Sequence, residues 1–297
     1  MIIVVMIYAG NILIGKAISE LPPITITFFR LLIAFVVLFP LGYRSAWKYR
    51  DRFFKYKKPV LVMALSGLAL FNTFIYGALQ FTTSSNVAIL ESIIPAITVV
   101  LSAFMLKERL KGIQWGGVGL SLIGAIWVVM DGNILKLTVI DWNVGDLIMI
   151  GAIITWAVYS VMVKKYMHKF PPYAAIFVMT GISLIALLPI VIIEWSIIGI
   201  PAMGDSNFII GLLYLGIFPS LIALIFYNRA VALLGASQAS IFLNFLPVVT
   251  MIGAYLWLGE EITVMHVIGA GIVIVGVLLT TQFRVKRRSL ENKKRYG

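Results

Sequence analysis

Apolar residues run almost unbroken for about twenty positions at a time, and short polar clusters separate the runs. Twenty residues of α-helix is the length that crosses the hydrocarbon core of a bilayer. Ten runs can be placed, at roughly 1–19, 24–43, 59–80, 84–106, 112–130, 144–163, 173–195, 208–228, 236–257 and 264–283. The polar segment Asp131–Asn143 parts the first five from the last five. This predicts an all-α integral membrane protein of ten transmembrane helices. Residues 1–130 form one five-helix repeat, 131–143 a connecting loop, 144–283 the second repeat and 284–297 a basic tail.

The division is supported by a stretch that occurs twice. Residues 95–124 slide onto 247–276, so that Pro95 falls on Pro247, Glu108 on Glu260, and Gly117, Gly119 and Gly124 on Gly269, Gly271 and Gly276. Pro22-Pro23 and Pro171-Pro172 mark matching turns after the first helix of each half. Five is an odd number, so the second repeat enters the membrane from the opposite side. Inverted repeats of this kind are a transporter architecture.

Composition agrees: 61% of the 297 residues are hydrophobic, 12% are charged and the mean hydropathy is +1.02. A water-soluble domain of this size needs more polar surface. There are no cysteines, which excludes disulfides and thiolate metal sites, and His168 and His266 lack metal-ligand spacing. The net charge of +12 does not point to nucleic acid, because the basic residues sit in short loops and the tail. With the N-terminus placed in the cytoplasm, 21 lysines and arginines face inward and two, Lys16 and Lys136, face outward. Arg30 alone lies within a span. Both termini are therefore expected in the cytoplasm, with the chain in the plasma (inner) membrane of a bacterial or archaeal cell. The basic 44–58 loop and the tail are expected to face anionic lipid headgroups. The N-terminal residues lack a basic leader and a small-residue cleavage site, so they read as a retained first helix.

Several short motifs, in order and doubled, resemble one family. They are Tyr8-Ala-Gly-Asn11, Phe28-Phe29-Arg30, Ser84-Ser85-Asn86-Val-Ala, and Pro95 followed by Leu-Lys-Glu108-Arg-Leu. The second half supplies Trp156-Ala-Val-Tyr159, Ala230-Val-Ala-Leu-Leu-Gly-Ala-Ser237, and Pro247 followed by Leu-Gly-Glu260-Glu. Together they resemble the EamA branch of the drug/metabolite transporter superfamily, over essentially the whole chain. Only seven residues precede Tyr8, fewer than members usually carry. The resemblance implies a ten-helix exporter with a cavity lined by helices three, four, eight and nine and by the first helix of each half. That brings in Asn11, Asn72, Tyr76, Asn86, Trp156, Tyr159 and Tyr227. Aromatic rings beside amides suit a small amphipathic solute; ordinary packing or an interfacial belt is the plain alternative, for Tyr227 above all.

The residues themselves add further candidates. Glu91 is the one acid inside a span and away from the few residues at its ends, where a carboxylate is costly and functional by default, and buried there it can take up a proton near neutral pH. Pairing or snorkelling from its helix end is the alternative. Thr98 and Ser102 follow on its helical face. On the ninth helix Ser237, Ser240, Asn244 and Pro247 share one face, as solute contacts or as interhelical glue. Pro95 and Pro247 are expected to break their helices. Arg30 reads as structural, pairing with a helix end or a buried acid in preference to a substrate carboxylate. Glu108 and Glu260 read as caps or braces of their turns. Gly112 and Gly116, at GxxxG spacing, are expected among the close helix contacts.

The expected function is secondary active export of a small metabolite by alternating access, driven by proton exchange or by the solute's own gradient. Import, or a channel or lipid scramblase on the same scaffold, are the alternatives. No nucleotide-binding loop, HExxH or GxSxG pattern is present, so an intramembrane enzyme is disfavoured. No cofactor is expected. The partners are a small-molecule substrate and the lipid bilayer, and the oligomeric state is open, a monomer being admissible.

Overall fold

A computed structural model describes residues 1–106, 111–129, 143–202, 204–227, 243 and 245–296. Among them regular structure is helical throughout. In chain order the elements are α1 (Ile2–Ala17), α2 (Pro23–Lys48), a short α3 (Arg50–Lys55), α4 (Lys57–Leu79), α5 (Ser84–Glu91) and α6 (Ile94–Leu106). They continue with α7 (Gly112–Val129), α8 (Val144–Tyr166), α9 (Pro172–Ile198), α10 (Ser206–Tyr227), α11 (Leu246–Leu258) and α12 (Val264–Tyr296). Six stretches are long and apolar enough to cross a membrane: α2, α4, α5 with α6, α8, α9 and α10. Four shorter apolar helices accompany them, namely α1, α11 and the apolar parts of α7 and α12. Large apolar side chains such as Ile185, Ile192 and Leu256 stand exposed on the outer surface, as a lipid solvent requires. The chain is an all-α, multi-pass membrane protein.

Two expectations are corrected. The 44–58 segment is not an open loop: α2 runs on to Lys48, and α3 and the start of α4 follow with no residue of extended backbone. Lysine and arginine are good helix formers, and no glycine or proline intervenes between Tyr43 and Lys58. For the same reason the tail continues α12 as helix to Tyr296. At the α3–α4 corner Lys169 Nζ donates to Tyr56 Oη at 3.0 Å. That bond and the ammonium charge hold the phenol below its usual range.

Three helix pairs frame the interior: α2 on α9, α4 on α8 and α7 on α12. In the first, Phe35 stacks on Phe177 with ring centroids 4.6 Å apart. In the last, Gly117 lies opposite Gly276, and Gly124 opposite Val273, so the helices run antiparallel at backbone contact. Gly112 and Gly116 are not part of it, since a Cβ on either would meet nothing within 4 Å. The GxxxG spacing lies on the wrong face of α7, one residue out of register with the glycines that pack.

α4 and α10 each contain a π-helical segment, Ala64–Leu70 and Phe218–Ala223. In α10 Pro219 has no N–H to give, and Ser220 Oγ donates to the Leu215 carbonyl five residues back, at 2.8 Å. Such widened turns re-aim side chains and recur at functional sites. Here they turn Asn72 and Ser220 toward the same point.

Candidate functional site

That point is the guanidinium of Arg30, about two turns into α2 and only 4% exposed. Nη1 donates to Asn11 Oδ1 from α1 at 2.9 Å, to Asn72 Oδ1 from α4 at 2.8 Å, and to Tyr76 Oη. Nε and Nη2 both donate to Ser220 Oγ from α10, at 3.1 and 2.8 Å. The acceptors are themselves fixed. Tyr76 Oη donates to Asn11 Oδ1 at 3.0 Å, and Asn72 Nδ2 donates to the Leu68 carbonyl at 2.7 Å. Every one of these partners is neutral. A cation inside a span costs about 2.5–3.5 kcal/mol on insertion scales, and hydrogen bonds from a charged donor return about 1.5–3 kcal/mol each. The network offsets the cost of burial without cancelling the charge.

Sequence reasoning set Arg30 apart from Asn11, Asn72 and Tyr76; the structure joins all four. It also expected a helix end or a buried acid as the partner of Arg30, and the described partners are two amides and two hydroxyls. Ser220 was missed. Its only sequence signal is a hydroxyl following Pro219 in an otherwise apolar run.

Tyr8 stands one turn before Asn11 on the same face of α1. Its hydroxyl is buried with no hydrogen-bond partner among the described residues. Tyr227 packs with Val4, Ile7 and Tyr8 around Ala223 and so faces the interior instead of forming an interfacial belt. Trp156 lies between Phe71 and Tyr159, its ring tilted to both, with centroids 4.3 and 5.0 Å away.

Glu91 closes α5 and is half-buried. Its carboxylate has no hydrogen bond or ion pair with a described residue, and the one ion pair among them is Arg50–Asp51 at the surface. Pro95 is the second residue of α6, after a two-residue turn at Ser92-Ile93. It cannot donate to the Glu91 carbonyl four residues back, which is where the apolar run breaks into two helices. Pro247 is likewise the second residue of α11, where a missing N–H costs nothing. Thr98 Oγ1, on α6 beyond that break, is buried without a partner among the described residues. Glu108, Ser237, Ser240 and Asn244 lie outside the described residues.

Asn86 lies elsewhere, at the start of α5. His266 Nδ1 accepts from the Thr263 amide at 3.1 Å, which leaves the proton on Nε2 to donate to Asn86 Oδ1 at 3.0 Å. His266, expected to stand alone, thus ties α12 to α5. Glu260 braces the same helix end and not its own turn. Its carboxylate accepts from the Ser84 amide at 2.7 Å, the Ser85 amide at 3.2 Å and Ser85 Oγ at 2.9 Å. Glu194 of α9, unmarked in the sequence, caps α2 in the same way, accepting from the Ile24 and Thr25 amides at 3.3 and 2.9 Å and from Thr25 Oγ1 at 2.7 Å. A carboxylate at a helix N-terminus meets both free donors and the dipole. Glu260→Gln keeps one acceptor oxygen for three donors. It is expected to cost about 1–3 kcal/mol, read as a lower melting temperature of the detergent-purified protein. An unchanged melting point would show that the cap adds no stability.

Similarity to known proteins extends over most of the chain. The profile of the EamA-like transporter family matches residues 1–130 and again 143–282. An uncharacterized transporter of Archaeoglobus fulgidus is 29% identical over 284 residues, which cover 93% of this chain and 94% of that protein. A probable amino-acid metabolite efflux pump of Salmonella typhimurium is 26% identical over 306 residues, covering 96% and 95%. One solved crystal structure is 19% identical and superposes with a TM-score of 0.61 over 95% of this chain and 96% of that one, a likeness of fold alone. Ser220 thus lies in the second matched part, while Arg30 and its other partners lie in the first.

Proposed function

The chain belongs to the EamA-like transporter family, and on that premise we propose that it is a secondary active transporter that exports a small metabolite by alternating access. The two matched parts act as inverted five-helix repeats, giving ten transmembrane helices with both termini in the cytoplasm. The 21-to-2 distribution of basic residues supports that orientation. The cargo is an amino acid, an amine or a similar amphipathic solute; the Salmonella relative is named a probable amino-acid metabolite efflux pump. Glu91, unpaired among the described residues, carries the coupling proton.

The observation that carries this reading is the Arg30 network. A single buried polar group is held by α1, α2 and α4 from one matched part and by α10 from the other. Relative movement of the two parts must break or remake its bonds to Ser220, so the centre of the molecule senses which way it is open. Phe71, Trp156 and Tyr159 provide an aromatic wall alongside.

Untargeted comparison of metabolites released by cells with and without the protein tests the proposal, followed by counterflow in liposomes for any compound found. A compound released only with the protein, and showing saturable counterflow, is the expected result. Equal release together with no counterflow of any panel compound would overturn it, and accumulation inside cells would reverse the direction.

A further inference from the structure

We propose that the transported solute carries a carboxylate, and that this group binds the Nε–Nη2 edge of Arg30 in place of Ser220, with the Tyr8 hydroxyl as an additional donor. The inference rests on the transporter reading and narrows its substrate class.

The first support is the chemistry of the edge. A guanidinium presents Nε–H and one Nη2–H in parallel, the fork that matches the two oxygens of a carboxylate. Here both are aimed at the single oxygen of Ser220, at 3.1 and 2.8 Å. One neutral oxygen shared by two charged donors is a weaker arrangement than a bidentate anion. Ser220 does not depend on Arg30, since its own hydrogen goes to the Leu215 carbonyl. It therefore acts as a placeholder that a carboxylate can displace without leaving a buried group unpaired. The remaining amino group of Arg30 stays fixed by Asn11, Asn72 and Tyr76, so the fork keeps its direction when Ser220 leaves.

The second support is independent. The Tyr8 hydroxyl is buried and unpartnered among the described residues, and Tyr8 packs in the cluster around Ala223, three residues beyond Ser220 on α10. Among the described residues neither the cation nor the phenol is hydrogen-bonded to an anionic oxygen, and both can donate to one. A residue kept only to tie helices together would be served better by a carboxylate from a neighbouring helix, which would cancel its charge. Amides and hydroxyls orient the guanidinium and leave the charge for a ligand. One cation with no second one in the network suits a monoanion and disfavours a phosphate monoester.

Thermal stabilisation of the purified protein by a fixed panel measures this apart from transport. The panel consists of the common L-amino acids, their α-amides, simple monocarboxylates from acetate to phenylpyruvate, and inorganic phosphate. At least one free acid is expected to raise the melting temperature where its amide does not. Arg30→Gln should abolish that shift, and Arg30→Lys, which keeps charge without the fork, should weaken the apparent affinity about tenfold. Ser220→Ala, which removes the placeholder and leaves the cation untouched, should bind the same acid at least as tightly as the wild type. Tyr8→Phe should weaken binding several-fold. Stabilisation by amides equal to acids, by phosphate alone, or by no acid at all overturns the proposal, as does loss of binding in Ser220→Ala. Release from cells of a solute with no anionic group would keep the transporter reading and remove this inference. Acid-specific stabilisation without any transport would keep the site and remove that reading.

Discussion

Glu91→Gln should abolish transport driven by a pH gradient and leave exchange of solute for solute intact. The proposed coupling asks one group to carry a proton in one state of the cycle and none in another. Among the described residues Glu91 is the acid placed for this, half-buried at the end of α5 with no salt bridge or hydrogen bond to fix its charge state. The other buried or half-buried acids are occupied. Glu194 and Glu260 cap helices, and Asp146 accepts from Thr82 Oγ1 at 3.0 Å. A carboxylate without a fixed partner changes protonation as its access to water changes, whereas a capping carboxylate is already committed to the donors it accepts from. Glutamine keeps the size and one acceptor oxygen but cannot exchange a proton. Uptake into liposomes loaded at a different pH should fall by at least about tenfold, the level at which a general proton carrier stands out from indirect effects. Counterflow at equal pH should stay within about twofold of the wild type, because that exchange needs no net proton movement. Equal losses in both assays would make Glu91 a solute contact, and no loss in either would remove it from the mechanism.

The outline of the fold was legible because a bilayer imposes length and apolarity on each crossing. Of the two recurrences, Pro95 with Pro247 read as breaks within helices and Pro22-Pro23 with Pro171-Pro172 as turns; the structure has α6 and α11 beginning at the first pair and α2 and α9 at the second. Short-range chemistry misled where lysine and arginine suggested a loop at 44–58. Positive charge marks the cytoplasmic side under the topology rule, but it does not break a helix. The site was half legible. Arg30 stood out as a cation in an apolar run, and the family resemblance brought in Asn11, Asn72 and Tyr76, yet nothing local says that they meet. Ser220 is 190 residues from Arg30 in the chain. The π turns that aim Asn72 and Ser220 inward are products of packing and carry no sequence mark beyond Pro219. Glu194 and Glu260 show the same limit: a carboxylate near a helix end reads as its own cap, and only the assembled bundle reveals that it serves a helix some 170 residues away.

Gly276→Val should leave little folded protein, while Gly271→Val on the same helix should behave as the wild type. At Gly276 a Cβ would come within 2.7 Å of the Gly117 carbonyl oxygen and closer still to the Ser121 amide, both of them backbone. Backbone cannot rotate out of the way as a side chain can, so the added carbons must push α7 and α12 apart. The pair is also held by polar bonds that need that closeness. Gln114 Nε2 donates to the Thr280 carbonyl across the interface at 3.1 Å, and the Ser121 and Thr280 hydroxyls fold back onto the Gly117 and Gly276 carbonyls, keeping the contact surface smooth. In lipid no hydrophobic effect drives helices together, so close packing of small residues is the main source of association here. Overpacking against rigid neighbours costs typically about 1–3 kcal/mol and more where nothing can yield, so a loss above about 3 kcal/mol is expected. At Gly271 a Cβ would meet nothing within 4 Å, and the change should stay within about 0.5 kcal/mol. Denaturant titration of the protein in mixed micelles, with the monodisperse fraction by size exclusion, reads both variants. Similar behaviour of the two would mean that α7 and α12 do not meet along Gly117 and Gly276, and the pairing described for them would have to be abandoned.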